Sequence, residues 1–408
     1  MFLSRRLCSI DDYRHEARRK LPRFMFDYIE GGAMGEQTLK ANERDLQAIT
    51  IRQRVMCDVS SQSLSTELFG QQMALPVVLG PVGFAGMYHR RGEVQAARAA
   101  RDAGVPFCLS SLSICGVDEV QAGSGVPPWF QLYMIKDRGY MAALLERAQG
   151  LGSPVLVFTV DLPVPSPRYR DYHSGFRENP GLARLSKLGW DTIKHPMWAL
   201  NVMLRGRPHS FGNFAPGIEE ARTLENFSAW VLKNYEQKLT WGDLDWVRSH
   251  WNGPIVIKGI LDPDDAVQAV AAGADGVIVS NHGGRQLDGA PSTISMLPSI
   301  VDRVAGKVPV LVDGGIRSGL DILRALACGA NACLIGRAWA YGLACSGQSG
   351  VSQIVRILEH ELRVTMALAG CTDVRRLDRS TIAKDRYHRT SETMRLREEH
   401  SIAEQVAG

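Results

Sequence analysis

A histidine, an arginine and two glycines lie together in the segment SNHGGRQLD, residues 280–288. A neutral histidine such as His282 can accept a proton near pH 7. An arginine such as Arg285 can hold a carboxylate through two parallel hydrogen bonds, and the glycines let the backbone come close to a flat or bulky ligand. This combination indicates a site that binds an acid anion and removes a proton beside it. The alternative is a polar loop whose histidine only forms hydrogen bonds with its own neighbours.

Arg168 and Tyr133, which lie outside this segment, can serve the same site. Arg168 and Arg285 can close together on negative charge that develops on a substrate, and Tyr133 can offer its hydroxyl to a carboxylate or a hydroxyl group. Burying two arginines without an anion would be costly. The pair therefore indicates a substrate that is an acid.

Short apolar runs followed by helical stretches recur from about Leu75 onward and predict the elements that position these residues. Alternating strands and helices imply a parallel sheet, and eight units predict an α/β fold of the closed (β/α)8 TIM barrel type, preceded by helices in residues 11–49. Asp11 and Asp12 are expected to cap the first helix, and Pro22 to start the next. The predicted strands are 76–80, 106–111, 129–133, 155–161, 255–258, 275–280, 308–313 and 332–336.

Polar and charged residues recur at the C-terminal ends of the predicted strands, which is where TIM barrels carry their active sites. A buried apolar strand seldom ends in a charged group by accident, because burying a bare charge is costly. We therefore expect these residues to share one site. They are Ser110, Gln131, Tyr133, Thr159, Asp161, Lys258, Ser280, His282 and Asp313.

The loops after the seventh and eighth predicted strands have the composition of a phosphate site. The seventh strand is followed by DGGIR, residues 313–317, and the eighth by Gly336 and Arg337. Backbone NH groups freed by glycine can cradle phosphate oxygens, and arginine adds charge. No GxGxxG segment follows a first strand, which disfavours a nicotinamide cofactor. The alternative is two ordinary tight turns.

The composition argues against several other classes of function. The net charge of +4 is mild, and no basic run with interleaved aromatic residues predicts a nucleic-acid groove. The eight cysteines show neither a CxxC pair nor zinc spacing, so no metal site is expected. The sequence shows no apolar run of the roughly 18 residues that a transmembrane helix needs. One domain over 1–408 is expected, with its barrel core at about 75–370 and a tail at about 375–408.

A long insertion at about 175–240 separates the fourth and fifth predicted strands, where compact loops are far shorter. Within residues 177–207, basic residues are interleaved with Leu, Met and Trp, a composition that suits an anionic membrane surface. The alternative is a lid that packs on itself and leaves a solvated basic face. The basic residues are Arg177, Arg184, Lys187, Lys194, Arg205 and Arg207.

The segment 280–288 resembles the signature of the FMN-dependent 2-hydroxy acid oxidising family, and the resemblance extends over about 11–378. It implies that His282 is the catalytic base and that Asp161 pairs with it. The motif YIEGGA, residues 28–33, is similar to the family's N-terminal motif, whose tyrosine touches the substrate carboxylate. The substrate-binding residues that the resemblance implies are Tyr28, Tyr133, Arg168 and Arg285.

The same resemblance implies FMN as the cofactor and assigns residues to each part of it. Lys258 is expected near N1 and the C2 carbonyl of the flavin, where a fixed cation stabilises the charge that arrives with two electrons. Asp313 is expected to hold the ribityl chain. The backbone edge is assigned to Pro81, Val82 and Gly83, and the ring system to Ser110, Gln131 and Thr159. The phosphate is assigned to Gly315, Arg317, Gly336 and Arg337, and Ser280 and Gly314 complete the cofactor-binding set.

Residues 90–97 and 169–175 most resemble the branch of respiratory L-lactate dehydrogenases, and the alternatives within the family are an (S)-mandelate dehydrogenase or a 2-hydroxy acid oxidase. This implies oxidation of L-lactate to pyruvate, with electrons passing through flavin N5 to a membrane quinone or cytochrome. It also implies a homo-oligomer, by resemblance a tetramer, that lies peripherally on the cytoplasmic face of the inner membrane. Two alternatives of other classes are a barrel isomerase or synthase that binds a phosphorylated substrate, and a catalytically silent membrane-bound scaffold.

Overall fold

The computed structural model describes residues 7–176, 182–222, 230 and 233–383, and within them eight parallel strands form the predicted barrel. Each strand pairs with its neighbours in chain order, and β8 pairs with β1. A parallel bridge between Leu79 and Phe107 joins β1 to β2 and closes the ring. All eight predicted strands are confirmed to within two residues at each end. They are β1 Val77–Leu79, β2 Cys108–Ser110, β3 Trp129–Leu132, β4 Leu156–Thr159, β5 Ile255–Ile260, β6 Gly276–Val279, β7 Val310–Val312 and β8 Ala332–Ile335.

Helices surround the barrel and also precede it, as the sequence predicts. The three that precede it are α1 Ile10–Lys20, α2 Arg23–Glu30 and α3 Gln37–Ala48. Those that follow are α4 Gly92–Asp102, α5 Val117–Ser124, α6 Arg138–Gly150, α7 Tyr169–His173, α8 Leu182–Ile193, α9 Pro196–Trp198, α10 Asp243–Ser249, α11 Pro263–Ala271, α12 Thr293–Val304, α13 Gly319–Ala327 and α14 Arg337–Leu368. The last of these is interrupted at Ser346 and Gly347, whose backbone is not helical.

Two local features differ from the sequence-based expectations. The cap of α1 is Ser9, whose side chain accepts a hydrogen bond from the backbone NH of Asp12, while the backbone NH of Ser9 donates to the Asp12 carboxylate. Asp12 is therefore the partner of the cap rather than the cap itself, because the helix starts one residue earlier than expected. An unpredicted hairpin, Thr66–Leu68 with Gln71–Met73, packs Phe69 against Trp129 at the N-terminal end of the barrel.

Alternation along the strands separates two cores. One face of each strand points into the barrel, where Val256, Ile278 and Leu311 form part of an inner cluster. The other face packs against the helices, as Ile257 and Val279 do. Because the inner cluster is apolar and closed by the hairpin, the barrel interior is a packed core, and any site has to lie at its C-terminal end.

The insertion and the C-terminal segment both pack against the barrel where they are described. The insertion holds α8, α9 and a π turn, Ala199–Leu204. The tail expected from about 375 is packed as far as Ala383: Ile382 forms a bridge with Ile51, and Arg379 contacts Asp302 at 2.7 Å. Residues 384–408 and residues 177–181 of the insertion, which include Arg177, lie outside the described part, as do the side chains of 182–185, which include Arg184.

Candidate active site

The last inward-facing position of several barrel strands is polar, although the layer beneath it is apolar. Lys258 and Ser280 lie two residues beyond the inward-facing Val256 and Ile278. Their side chains also point inward, because inward positions recur at every second residue of a strand. The Lys258 ammonium donates to Ser280 Oγ at 2.9 Å and contacts Asp313 Oδ2 at 3.1 Å. Burial opposes its charge, but the attractions of Asp313 and Asp161 together outweigh burial and keep the pKa of Lys258 above its ordinary value. Lys258 is therefore a fixed cation beneath the site.

A second polar chain crosses the neighbouring strand ends. Ser110 Oγ donates to Gln131 Oε1, and Gln131 Nε2 donates to Thr159 Oγ1, each at 3.0 Å. All three side chains are buried. Buried polar groups whose hydrogen bonds are made within such a chain have fixed orientations, so these residues present defined donors and acceptors to the space above the barrel.

The histidine predicted to act as a base contacts the aspartate predicted to orient it. His282 Nδ1 lies 2.9 Å from Asp161 Oδ1, and His282 Nε2 lies 3.2 Å from the hydroxyl of Tyr133. Burial lowers the pKa of His282 and outweighs the opposing attraction of Asp161. Burial would raise the pKa of Asp161, but the charges of His282 and Lys258 lower it overall. The pair thus combines an ionised aspartate with a neutral imidazole, and Nε2 is the nitrogen available to take a proton.

Two arginines face the same tyrosine. The guanidinium carbons of Arg285 and Arg168 lie 5.1 and 5.9 Å from the centre of the Tyr28 ring. Arg285 also donates to the backbone oxygens of Tyr28 and Gly31, at 2.8 and 2.6 Å. Arg168 is buried, and its guanidinium lies 3.9 Å from the buried Asp171. Two guanidinium groups on one aromatic ring form a cationic wall that fits a carboxylate.

The loops after β7 and β8 have the features of an anion cradle. Gly314 and Gly315 have positive φ, and a Cβ on Gly315 would lie 2.4 Å from the backbone oxygen of Asn42, so only glycine fits there. Arg337 donates to three backbone oxygens, including that of Gly31 at 2.9 Å. Burial, and then the positive charge of Arg285, lower the pKa of Arg337 to about 10. A phosphate group beside Arg337 would offset both effects.

The residues present fit FMN. The cradle provides for a phosphate, and Asp313 Oδ1 is buried with no hydrogen-bond partner among the described residues, which suits a hydroxyl donor from a ribityl chain. Lys258 supplies a buried cation, which suits the negative charge of a reduced ring system. The described residues contain no group of three or more His, Cys, Asp or Glu side chains able to hold a metal ion.

The predicted site residues converge on one cavity of about 830 Å3 at the C-terminal end of the barrel. Three of them do not line it: Asp161, Gln131 and Ser280 lie behind and hydrogen-bond to residues that do. The residues that line it are Tyr28, Pro81, Val82, Gly83, Ser110, Tyr133, Thr159, Arg168, Lys258, His282, Arg285, Asp313, Gly314, Gly315, Arg317, Gly336 and Arg337.

Sequence reasoning missed an apolar part of the cavity wall. Phe84, Phe176 and Phe211 line the cavity, and the ring centres of Phe84 and Phe211 are 5.0 Å apart. These residues come from three separate loops, and no local pattern distinguishes them from ordinary core aromatics. Leu188 of α8 also lines the cavity. The inner face of the insertion is therefore part of the site.

The outer face of the insertion is apolar and basic. Trp190, Ile193, Met197 and Leu204 are exposed large apolar residues. Lys187, Lys194, Arg205 and Arg207 are exposed among them. In contrast, Trp198 is buried and donates to the backbone oxygen of Met87 at 2.9 Å, which fastens the segment to the barrel. Of the helices in the described ranges, none is long and apolar enough to cross a membrane.

Comparisons with known proteins agree with this geometry. A family model described as FMN-dependent dehydrogenase matches residues 17–384. An L-lactate dehydrogenase of Caulobacter vibrioides is 53% identical over 376 residues, which cover 92% of this chain and 97% of the relative. An L-lactate dehydrogenase of Yersinia pestis is 52% identical over 372 residues, which cover 91% and 97% of the two chains.

Two solved structures have the same fold as this chain. A monotopic membrane protein, (S)-mandelate dehydrogenase, superimposes with a TM-score of 0.88 at 35% identity, covering 93% of this chain and all of that one. A mandelate oxidase superimposes with a TM-score of 0.76 at 38% identity, covering 90% and 97%. The barrel and its N-terminal helices are thus shared with these enzymes.

Proposed function

The chain belongs to the FMN-dependent dehydrogenase family, and we propose that within it the chain oxidises L-lactate to pyruvate. Its FMN supplies the acceptor for the two electrons that leave the substrate. The observation that carries the choice of L-lactate is the identity of 52–53% to two L-lactate dehydrogenases over more than nine-tenths of the chain. Family membership also argues against a phosphate-ligand isomerase or synthase, because the phosphate cradle then belongs to the cofactor.

The roles of the site residues follow from their chemistry. Arg285 and Arg168 hold the substrate carboxylate, and Tyr28 and Tyr133 orient it through their hydroxyl groups. Oxidation removes two electrons and two protons from the CH–OH unit, and His282 Nε2 takes one of the protons. Asp161 keeps the Nδ1 proton of His282 in place and stabilises the imidazolium that forms. These assignments are supported by the contacts of His282, at 2.9 Å to Asp161 and 3.2 Å to Tyr133.

The cofactor assignments extend over the rest of the cavity. Lys258 would stabilise negative charge near N1 of the ring system, Asp313 would hold the ribityl chain, and Arg337 would hold the phosphate. The remaining cofactor-binding residues are Pro81, Val82, Gly83, Ser110, Gln131, Thr159, Ser280, Gly314, Gly315, Arg317 and Gly336. Ser280 acts from behind the wall, since its hydroxyl binds the ammonium of Lys258.

The test is anaerobic bleaching of the flavin absorbance by a panel of 2-hydroxy acids. We expect L-lactate to bleach the purified holoenzyme and D-lactate to leave it oxidised. The reason is that the carboxylate clamp, Arg168 and Arg285, together with the base His282, accepts only one enantiomer of the substrate. A protein without bound flavin would overturn the family-based cofactor assignment. If none of the acids reduces the bound flavin, the result would favour the alternative of a catalytically silent membrane-bound scaffold.

(S)-Mandelate is a second candidate substrate, favoured by the aromatic wall. Phe84, Phe176 and Phe211 line the cavity into which the arginines face, and apolar walls of this kind bind phenyl rings. The same panel decides between the two acids. A rate constant for flavin reduction at least tenfold higher with (S)-mandelate than with L-lactate would make mandelate the preferred substrate.

We further propose that the electrons pass to a membrane quinone and that the insertion holds the enzyme peripherally on the cytoplasmic face of the inner membrane. Exposed apolar residues such as Trp190 beside cations such as Lys194 support contact with anionic lipid. Leu188, which lies on α8 together with Trp190, lines the cavity. The insertion can therefore contact the membrane and also cover the site as a lid. The enzyme is also proposed to be a homotetramer, which light scattering after size exclusion would test.

A further inference from the structure

A helix outside the barrel reaches into the loop that carries the proposed base. Asn42 lies on α3, and its side chain pairs with that of Asn281, the residue before His282. Asn42 Nδ2 donates to Asn281 Oδ1 at 2.9 Å, and Asn281 Nδ2 donates back to Asn42 Oδ1 at 2.8 Å. Both side chains are buried, with exposed fractions of 1% and 6%. The two amides thus form a closed ring of two hydrogen bonds.

The amide pair also controls the shape of the loop. Asn281 Oδ1 accepts from the backbone NH of Gly284 at 3.0 Å, and Asn281 Nδ2 donates to the backbone oxygen of Pro291 at 3.1 Å. Between Asn281 and Gly284, His282 has a φ of +59°. This left-handed conformation is costly for a residue other than glycine and persists only where its surroundings enforce it. The bonds of Asn281 to Gly284 and Pro291 hold the loop on either side of this conformation, and Asn42 holds Asn281.

Asn42 contacts the cofactor side of the site as well. Its Oδ1 accepts from the backbone NH of Thr293 at 3.2 Å, and the Thr293 hydroxyl donates to the backbone oxygen of Asp313 at 2.5 Å. Its backbone oxygen lies 2.4 Å from the position that a Cβ on Gly315 would take. Asn42 is therefore packed between the loop of the base and the loop of the anion cradle.

From this placement we propose that Asn42 is a positioning residue for His282. Its amide sets the distance between the base loop and α3, and hence the direction in which His282 Nε2 faces the substrate. A satisfied buried network of this kind rigidifies the residues that it joins. The proposal rests on the proposed role of His282 as the base, and it goes beyond that role because it places part of the catalytic geometry on a helix that precedes the barrel.

The test compares Asn42→Ala with Leu46→Ala in the holoenzyme. Leu46 is buried on the same helix one turn later, so its truncation loosens α3 without removing a hydrogen bond to Asn281. We expect both variants to lower Tm and to retain FMN. Only Asn42→Ala should slow flavin reduction by L-lactate at saturation, by at least tenfold. It should also move the acid limb of the pH profile to lower pH, because a weaker contact with Asp161 lowers the pKa of His282 further.

A second measurement does not depend on turnover. In protein labelled with 15N-histidine, the proton on Nδ1 of His282 should give a sharp downfield signal through its bond to Asp161. We expect this signal in the wild type and in Leu46→Ala, and its broadening or loss in Asn42→Ala. If L-lactate fails to reduce even the wild-type flavin, the proposed function fails, and this signal still tests the positioning.

A double-variant cycle completes the test. Asn42→Ala and Asn281→Ala each remove the same pair of hydrogen bonds, so the double variant should be no more than about twofold slower than the slower single variant. Multiplying effects would mean that the two residues act independently and would overturn the proposal. So would an Asn42→Ala enzyme whose rate, pH profile and Nδ1 signal match those of Leu46→Ala. Asn42→Ser, with a shorter polar side chain, replaces Asn42→Ala if that variant does not fold.

Discussion

His282 Nδ1 lies 2.9 Å from Asp161 Oδ1, although the two residues are carried by different strands of the barrel. Asp161 follows β4 and His282 follows β6, and β5 lies between them. The contact spans β5 at Gly259, where a Cβ would lie 2.5 Å from the Cβ of Asp161. The pairing of the proposed base and its orienting carboxylate therefore depends on the absence of a side chain in the strand between them.

Replacing Gly259 with alanine is expected to displace Asp161 and slow flavin reduction by at least tenfold while FMN stays bound. Part of the effect of this change is backbone strain, since φ at Gly259 is +111°. Gly273 is the matched control, because its φ is +92° and a Cβ there would meet nothing within 4 Å. Both variants should lose stability, by about 1–2 kcal/mol each from strain. Equal reduction rates for Gly259→Ala and Gly273→Ala would contradict the prediction.

Substituting His282 with glutamine should retain FMN and lower the rate constant of flavin reduction ~10²–10⁴-fold, the usual contribution of a general base. Stopped-flow absorbance under anaerobic conditions measures it. The exposed His15 provides a control, since His15→Gln should leave the rate unchanged. A His282→Gln enzyme that keeps more than about a tenth of the wild-type rate removes His282 from this role.

The pH dependence of kcat/KM should show an acid limb below the ordinary pKa of histidine. Burial lowers the pKa of His282, so the imidazole stays neutral, and the enzyme active, as the pH falls through 6.5. Activity is lost only at lower pH, when Nε2 becomes protonated. In Asp161→Asn the attraction that raises this pKa is gone, so the limb should move further down while the rate falls. If the acid limb of Asp161→Asn stays at the wild-type pH, Asp161 does not influence the pKa of His282.

Arg285→Met should weaken the binding of L-lactate and of the unreactive oxalate much more than that of FMN. The loss of a carboxylate partner in a closed pocket costs on the order of 3–5 kcal/mol. Arg285→Lys should recover part of the affinity, because it keeps the charge but not the planar fork. Dissociation constants from flavin absorbance titrations measure both. Wild-type affinity for oxalate in Arg285→Met would rule out the carboxylate clamp.

Replacing Trp190, Ile193 and Met197 together with serine should release the enzyme from anionic vesicles without changing its reduction by L-lactate. These side chains are exposed on the outer face of the insertion, whereas Trp198 is buried against the barrel and has to be kept. Sedimentation with vesicles at low and high salt measures binding, and salt should weaken it by screening the adjacent cations. Met56→Ser is the control, since Met56 is exposed outside the insertion. A triple variant that still sediments like the wild type would place the anchor elsewhere.

The fold and most of the site follow from local patterns in the sequence. Short apolar runs that alternate with helical stretches predicted all eight strands, and the polar residue types at the ends of these runs brought Lys258, Asp313 and His282 into the predicted site. These features depend on which residues are apolar and where a strand ends, and both are properties of a few consecutive residues. The resemblance of residues 280–288 to a known signature then implied the individual roles, which stay predictions.

Other features depended on the tertiary structure. The aromatic wall of Phe84, Phe176 and Phe211 and the amide pair of Asn42 with Asn281 join residues far apart in the chain, and no local periodicity links such partners. The need for glycine at position 259 is likewise set by the side chain of Asp161, which follows the neighbouring strand. Even the protonation state of His282 depends on distant segments, because burial and the charge of Lys258 lower its pKa while the charge of Asp161 raises it. Residue types specify which groups can react, but only the packing of separate segments sets their distances and their solvent exposure.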